Sequence, residues 1–488
     1  MTTSRPATWL VWCVSVAVPV HAAGQEQSAA AWRQLTTADV EAAYGIIANN
    51  HPGAAPAAGD STFRRTLTLA GEAARGRAQR VDSYEGWLAT LRAFAAAFSD
   101  PHISLQPRLS VSSVRWPGVV MGRQGAATVV VSRDSAWKDL PSAGARLVSC
   151  DGADVERLSR ERLGVYRGTW DIASQKARNT PFLLVDDRNP FLPPLRRCVF
   201  REESGEREIA LQWRSVGVTA LQERLRAAAP IGRAGFGVRR VGDGWWIGLQ
   251  ALTDLSKPVL DSVAAHLQAI HAAPWVVVDV RGNGGGNSAW GVRLANQLAG
   301  EDRVSTAMRR AERDFAGPLC GTSWRASAAV EETLEQYIRN QGPGTEQWRR
   351  DLDSVRAARA AGRDLGPMPR PCPPPASAPG GELPPPRMTG RLLLLTDHAC
   401  FSSCLLMTGL FRLVGATQIG EATDFSTNYM EVRGMPLPSG LGSLATLQKV
   451  AFGVPARLGP YDPEMLYPGR IDDTAALERW VMETVVKR

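Results

Sequence analysis

The chain has 488 residues, 44% of them hydrophobic and 21% charged. That length exceeds what one hydrophobic core organises, so two or three domains are expected, and the ordinary globular balance excludes a disordered or fibrous protein. The formal net charge is +8, but the basic residues are mostly arginines scattered along the chain. Without a dense basic run interleaved with aromatics, nucleic acid is excluded as a partner, and the charge reads as a solvated surface.

The first element is a leader. Arg5 supplies a positive start, residues 9–20 are apolar, and Val20-His21-Ala22 ends on a small residue suited to cleavage. The apolar run is too short to span a bilayer, and no later stretch is long and apolar enough to do so. Residues 1–22 are therefore expected to be a cleaved export signal, which places the mature chain in the periplasm or outside the cell. Cys13 leaves with the signal. Six cysteines remain: Cys150, Cys198, Cys320, Cys372, Cys400 and Cys404. An even number in an exported chain fits a disulfide framework, and sequence order suggests 150–198, 320–372 and 400–404. No metal-ligand spacing of Cys and His occurs, so no metal is expected.

Residues 23–110 read as a helical region. Segments 37–48 and 83–98 carry apolar residues at three- and four-residue spacing, with Trp87, Leu88, Leu91 and Phe94 on one stripe. Residues 111–216 change to short β-rich runs at 119–121, 127–131, 147–150, 198–201 and 209–213, punctuated by Asp-Gly and Ser-Gly turns. The segment 147–155 resembles the strand–turn–helix of PDZ domains, which bind peptides by adding a strand to a sheet edge. From 217 to 488 strands alternate with helices: strands at 244–249, 275–280 and 392–395, helices at 259–270, 288–298 and 405–414. This alternation predicts a layered α/β core. It is interrupted at about 302–390 by an insert with helices at 326–340 and 346–361 and a Pro/Gly-rich stretch at 367–386.

Three segments carry chemistry. Val278-Asp279-Val280-Arg281-Gly282-Asn283-Gly284-Gly285-Gly286-Asn287 runs from a buried strand through a glycine loop into a helix. Such a loop presents backbone N–H groups to an anionic oxygen, either a phosphate or an oxyanion. Neither phosphate-binding fingerprint is present. Thr396-Asp397-His398-Ala399-Cys400-Phe401-Ser402-Ser403-Cys404 also joins a buried strand to an apolar helix. A serine at that junction projects from the sheet as a nucleophile, or else caps the helix. Finally, Asp100-Pro101-His102 offers one of only six histidines. Histidine is the usual base for a serine nucleophile because its pKa lies near neutrality.

Together these motifs resemble peptidase family S41, the tail-specific and tricorn-like proteases. The glycine segment is similar to the family's D-x-R-x-N-x-G-G signature, and 397–404 resembles its nucleophile segment with Ser402 in the reacting position. Gly420-Glu421-Ala422-Thr423 resembles G-E-x-T, and Leu437-Pro438-Ser439-Gly440 resembles L-P-s-G-l. Asp100-Pro101-His102 resembles the D-G-H element of the histidine-using branch. The resemblance implies a crotonase-like α/β core beside the PDZ-like domain. It implies peptide hydrolysis through an acyl-enzyme on Ser402, His102 as general base, and no cofactor. It also implies an oxyanion hole from Ser403 with Gly284 or Gly285, and an acid late in the core at Asp462 or Glu464. The lysine branch carries Lys shortly after G-x-x-T; here Asp424-Phe425-Ser426-Thr427-Asn428 has none, and Lys449 has no expected route to Ser402. Cys400 and Phe401 replace the small residues usual before the nucleophile. The readings set against this one are a non-catalytic peptide- or ligand-binding protein on the same scaffold and an acyl-CoA enzyme, the latter opposed by the export signal.

Overall fold

The computed structural model describes residues 27–315, 320–340, 344–367 and 382–487. The leader, Cys372 and most of the Pro/Gly-rich stretch lie outside the described residues. The architecture is a mixed α/β multidomain fold built on three main sheets.

The principal sheet has six strands. The hairpin Phe236–Val241/Gly244–Leu249 leads into four strands in parallel register: Trp275–Asp279, Arg391–Thr396, Thr417–Gly420 and Met465–Leu466. Its central strands carry continuous apolar runs at 275–278 and 392–395 because both faces are covered. Ile247, Leu249, Val276, Val278 and Leu394 face a cluster completed by Val263, Leu298, Leu405 and Phe411. Trp246, Val277, Leu393, Leu395 and Ile419 face the opposite way, against Leu477, Val481 and Val485. Fully burying each such aliphatic side chain is worth about 1.5–3 kcal/mol, so this sheet is the rigid platform on which the loops at its carboxyl ends are mounted.

The second sheet ties distant parts of the chain together. Its long strand Gly442–Ala451 pairs antiparallel with Ser104–Pro107, with Tyr429–Pro436 and with Thr322–Arg325. Helices Ala29–Asn50, Ser61–Ala78 and Tyr84–Ala96 pack on it through Trp87, Leu91, Phe94, Leu444 and Leu447. The insert is joined to this sheet, since Thr322–Arg325 is one of its strands and Trp324 anchors a small core with Val330, Leu334 and Val355.

The third sheet runs Val119–Gln124, Ala127–Arg133, Arg146–Cys150, Arg197–Glu202 and Gly205–Ala210. Its last strand begins at Gly205, four residues before the expected one, because Glu206 and Glu208 pair across the hairpin with Arg201 and Arg197. Cys150 and Cys198 sit opposite each other in register and form a disulfide; a second joins Cys400 to Cys404. Cys320 is also disulfide-bonded. The expected helix at 259–270 is two pieces, Ser256–Ala265 and Leu267–His271, divided at His266, whose backbone leaves the helical region. Among the described residues no helix is long and apolar enough to cross a membrane, and no cluster of metal-ligating side chains occurs.

Candidate active site

Two neighbouring strands of the principal sheet, Trp275–Asp279 and Arg391–Thr396, end side by side, and the loop after each carries one glycine- or serine-centred motif. The first loop is shaped by its polar side chains. Asp279 and Arg281 form a fully buried, doubly hydrogen-bonded pair, with Nε to Oδ1 at 2.9 Å and Nη2 to Oδ2 at 2.7 Å. Arg281 also donates to the carbonyl of Ile471 at 2.7 Å, tying the loop to the C-terminal segment. Removing one partner would strand a buried charge, at a cost of about 3–5 kcal/mol. Asn283 donates to the carbonyl of Leu249 at 2.7 Å and accepts the N–H of Gly285 at 2.8 Å. All three side chains that define the glycine signature, Asp279, Arg281 and Asn283, are therefore structural.

The second loop is fastened to the first. Buried Asp397 accepts the N–H groups of Gly232, Gly282 and Ala399 at 2.9–3.1 Å. Burial pushes its carboxyl above the usual carboxylate range, although those N–H groups and the nearby His398 pull the other way. Phe401 donates its N–H to the carbonyl of Asn283 at 3.1 Å. The turn then closes on Ser402, whose φ of 57° and ψ of −125° lie in a region L-residues rarely occupy. Ser402 precedes the helix Ser403–Leu413 but makes no side-chain cap bond, so capping does not explain its hydroxyl. Ser403 points elsewhere, donating to the carbonyl of Gly286 at 2.6 Å.

Gly285 explains why the loops can come this close. A Cβ there would lie 2.8 Å from Ser402 Cβ, 2.8 Å from the Phe401 carbonyl and 2.9 Å from the Ser403 nitrogen, and its φ is +101°. Its own N–H is taken by Asn283. That corrects its expected role: Gly285 supplies closeness, while the N–H groups of Gly284, Gly286 and Ser403 make no hydrogen bond among the described residues.

His102 arrives from the second sheet. Pairing of Ser104–Pro107 with Gly442–Ala451 carries the preceding turn to the core, and the imidazole packs on Phe401 with ring centroids 4.3 Å apart. The ring is thus brought against the residue that immediately precedes Ser402. The carboxylate that holds it is Asp100, whose Oδ1 lies 2.9 Å from His102 Nδ1 and accepts the His102 N–H at 2.9 Å. Thr427 donates to the other oxygen. Burial alone would raise the Asp100 carboxyl, but the His102 and Thr427 bonds outweigh it and hold it below the ordinary carboxylate range.

The expected acids are elsewhere. Glu464 Oε1 accepts the Gln418 N–H at 3.3 Å at the sheet edge, and the Asp462 carbonyl accepts from Arg412. Neither makes a hydrogen bond to His102, because the imidazole's Nδ1 is already occupied by a residue two positions away. Lys449 lies against Trp324 and Asp351, in the insert.

Two features carried no recognisable sequence signal. His398 is buried, with Nδ1 2.9 Å from Glu421 Oε2 and Nε2 lacking a partner. And a short helix of the middle region, Ala173–Asn179, clamps the core: Ser174, Gln175 and Arg178 all bond the buried Asp424 carboxylate at 2.8–3.0 Å, and Arg178 also donates to the His398 carbonyl at 2.8 Å. Asp424 stands just after the G-E-x-T segment, so this stretch holds a domain contact.

Comparison with known proteins agrees with this layout. Residues 247–451 match the model of peptidase family S41, a span that contains both motif loops. No curated protein matches the chain. Among solved structures, mature CPAF is 12% identical, with a TM-score of 0.54 over 93% of this chain and 97% of that one. Mature CPAF complexed with lactacystin is 13% identical, with a TM-score of 0.53 over 93% and 98%. The photosystem II D1 C-terminal processing protease is 14% identical, with a TM-score of 0.35 over 92% and 98%. At such identities the first two show a shared fold. The match to the peptidase family S41 model takes in the glycine loop, the strained serine and the strands that carry them, so this part of the chain is similar to the serine-type peptidases of that family.

Proposed function

We propose that the chain hydrolyses peptide bonds through an acyl-enzyme on Ser402, with His102 as general base and Asp100 as the carboxylate that orients it. The observation that carries this reading is a strained, uncapped serine directly after Phe401, the residue on which an imidazole held by a buried carboxylate is packed. The Asp100 bond fixes Nδ1 as the protonated nitrogen and leaves Nε2 to take the hydroxyl proton. In acylation the serine oxygen attacks the peptide carbonyl as its proton passes to Nε2, which then hands it to the leaving amine. Water reverses the sequence to free the acid. The N–H groups of Ser403 and of Gly284 or Gly286 are free to receive the oxyanion; each such donor is typically worth about 10²- to 10³-fold in rate.

The finer architecture belongs to the same proposal: a crotonase-like core, a PDZ-like unit over 111–216 offering a sheet edge to an extended peptide, and export directed by residues 1–22 to the periplasm or beyond. Disulfides at 150–198 and 400–404 support an oxidising destination. The test is active-site labelling of the purified chain with a fluorophosphonate, alongside cleavage of a peptide library. Wild type should be labelled at Ser402 and should cleave, while Ser402→Ala should do neither and His102→Ala should label far more slowly. Equal labelling of wild type and Ser402→Ala removes Ser402 as the nucleophile.

A further inference from the structure

The six residues 397–402 between the strand Arg391–Thr396 and the helix Ser403–Leu413 are unevenly held. Asp397 is fixed by three N–H groups, Cys400 by bonds to Asp397 and Asp424, and Phe401 by Asn283. Ser402 is tied only forward into the helix, its carbonyl accepting the Leu405 N–H at 2.9 Å: among the described residues neither its N–H nor its hydroxyl has a partner. Yet it sits at φ 57°, a conformation that persists in an L-residue only where its surroundings impose it. What brackets it is covalent. Cys400 and Cys404 stand two residues before and two after Ser402, are joined by a disulfide with their Cα atoms 5.4 Å apart, and are fully buried. Cys404 lies in the first turn of the helix, its N–H bonded to the Phe401 carbonyl at 3.1 Å, and Cys400 Sγ touches Thr408 Oγ1 one turn further on. The cross-link thus fixes the loop to the helix across the residue whose own N–H and hydroxyl make no hydrogen bond among the described residues.

We propose that the Cys400–Cys404 cross-link is the positioning element that keeps Ser402 in its reactive conformation, so that acylation depends on the oxidised pair. The proposal rests on Ser402 being the nucleophile. A dithiol supplying two electrons and two protons would convert the bond to two thiols while itself closing to a disulfide; the loop would then be free to relax toward ordinary backbone angles.

The experiment compares wild type with Cys400→Ala/Cys404→Ala in three measurements: hydrogen exchange of the amides at 398–406, the fluorophosphonate acylation rate, and kcat and KM on a cleaved peptide. Exchange in the loop should rise, acylation and kcat should fall about 10- to 100-fold, and KM should stay within about twofold, since binding surfaces are untouched. Unchanged exchange, or acylation at the wild-type rate, overturns the proposal. Should the double variant fail to fold, wild type is titrated with a dithiol and alkylated. Loss of acylation must then follow alkylation at Cys400 and Cys404, not at Cys150 and Cys198, and must return on reoxidation; loss that follows Cys150 and Cys198 overturns it. If wild type is never labelled at Ser402, the nucleophile assignment falls, and the exchange measurement still decides whether the cross-link pins the loop.

Discussion

Gly285→Ala adds a single methyl group at the tightest point between the two motif loops. Two costs follow from the geometry. The backbone there has φ +101°, where an L-residue pays about 1–3 kcal/mol. The new Cβ would also lie under 3.0 Å from three atoms of 401–403, two of them backbone, so something must move. The glycine loop is anchored by buried Asn283 and Arg281, and the serine turn by Asp397. The displacement therefore falls on Ser402 and the Ser403 N–H. A shift near 1 Å at a reacting group costs about 10²-fold in rate, and adding a disturbed oxyanion donor brings the expected loss in kcat to about 10²- to 10³-fold. Gly284→Ala is the matched control. A Cβ there meets nothing within 4 Å, its φ is not positive, and the backbone N–H is retained, so kcat should stay within about twofold. The assay is fluorophosphonate acylation followed by mass spectrometry, with a thermal melt on each variant. A Gly285→Ala enzyme that acylates at the wild-type rate would refute the close-packing account of this site.

Two further expectations bear on the base and on acid stability. Asp100→Asn should lower kcat by about 10²- to 10⁴-fold by releasing the imidazole's tautomer, whereas Glu464→Gln should leave it within a few-fold; the reverse ranking in steady-state peptide cleavage restores the late acid. His51 is fully buried, accepts the Gly53 N–H on Nδ1 and stacks on Phe63 at 4.1 Å, and burial pushes its pKa down to about 3, with Asp100 opposing. Below the usual imidazole value of 6.5 the unfolded chain takes a proton that the folded chain refuses, so stability falls with pH between 6.5 and about 3, by up to about 5 kcal/mol. Urea unfolding of His51→Asn, which keeps a cap acceptor, should lose close to one proton of that pH dependence; an unchanged slope assigns the acid sensitivity elsewhere.

The parts of this molecule that could be read from sequence are those whose signal is local. Trp275–Asp279 opens on four consecutive apolar residues because it is buried on both sides, a run long enough to be read as a strand. The serine turn at 397–402 is legible because a strand, a short loop and an apolar helix follow one another within about twenty-five residues. The strand Gly205–Ala210 was misplaced because its Glu-Arg-Glu run reads as solvated, and only cross-strand arginines make it a strand. Asp100 was passed over although it stands two residues from His102, since an Asp-x-His turn gives no hint that Thr427, more than 300 residues on, will complete its shell. The clamp of Ala173–Asn179 on Asp424 was invisible for the same reason: about 250 residues separate partners that meet only in the folded chain.

One consequence of the second sheet concerns connectivity. The imidazole-bearing turn is presented by a strand at 104–107 whose partner, 442–451, lies more than 300 residues further along the chain. Docking of His102 on the core therefore waits on a segment far away in sequence, and a chain cut between the two strands would lose the pairing that holds the turn in place.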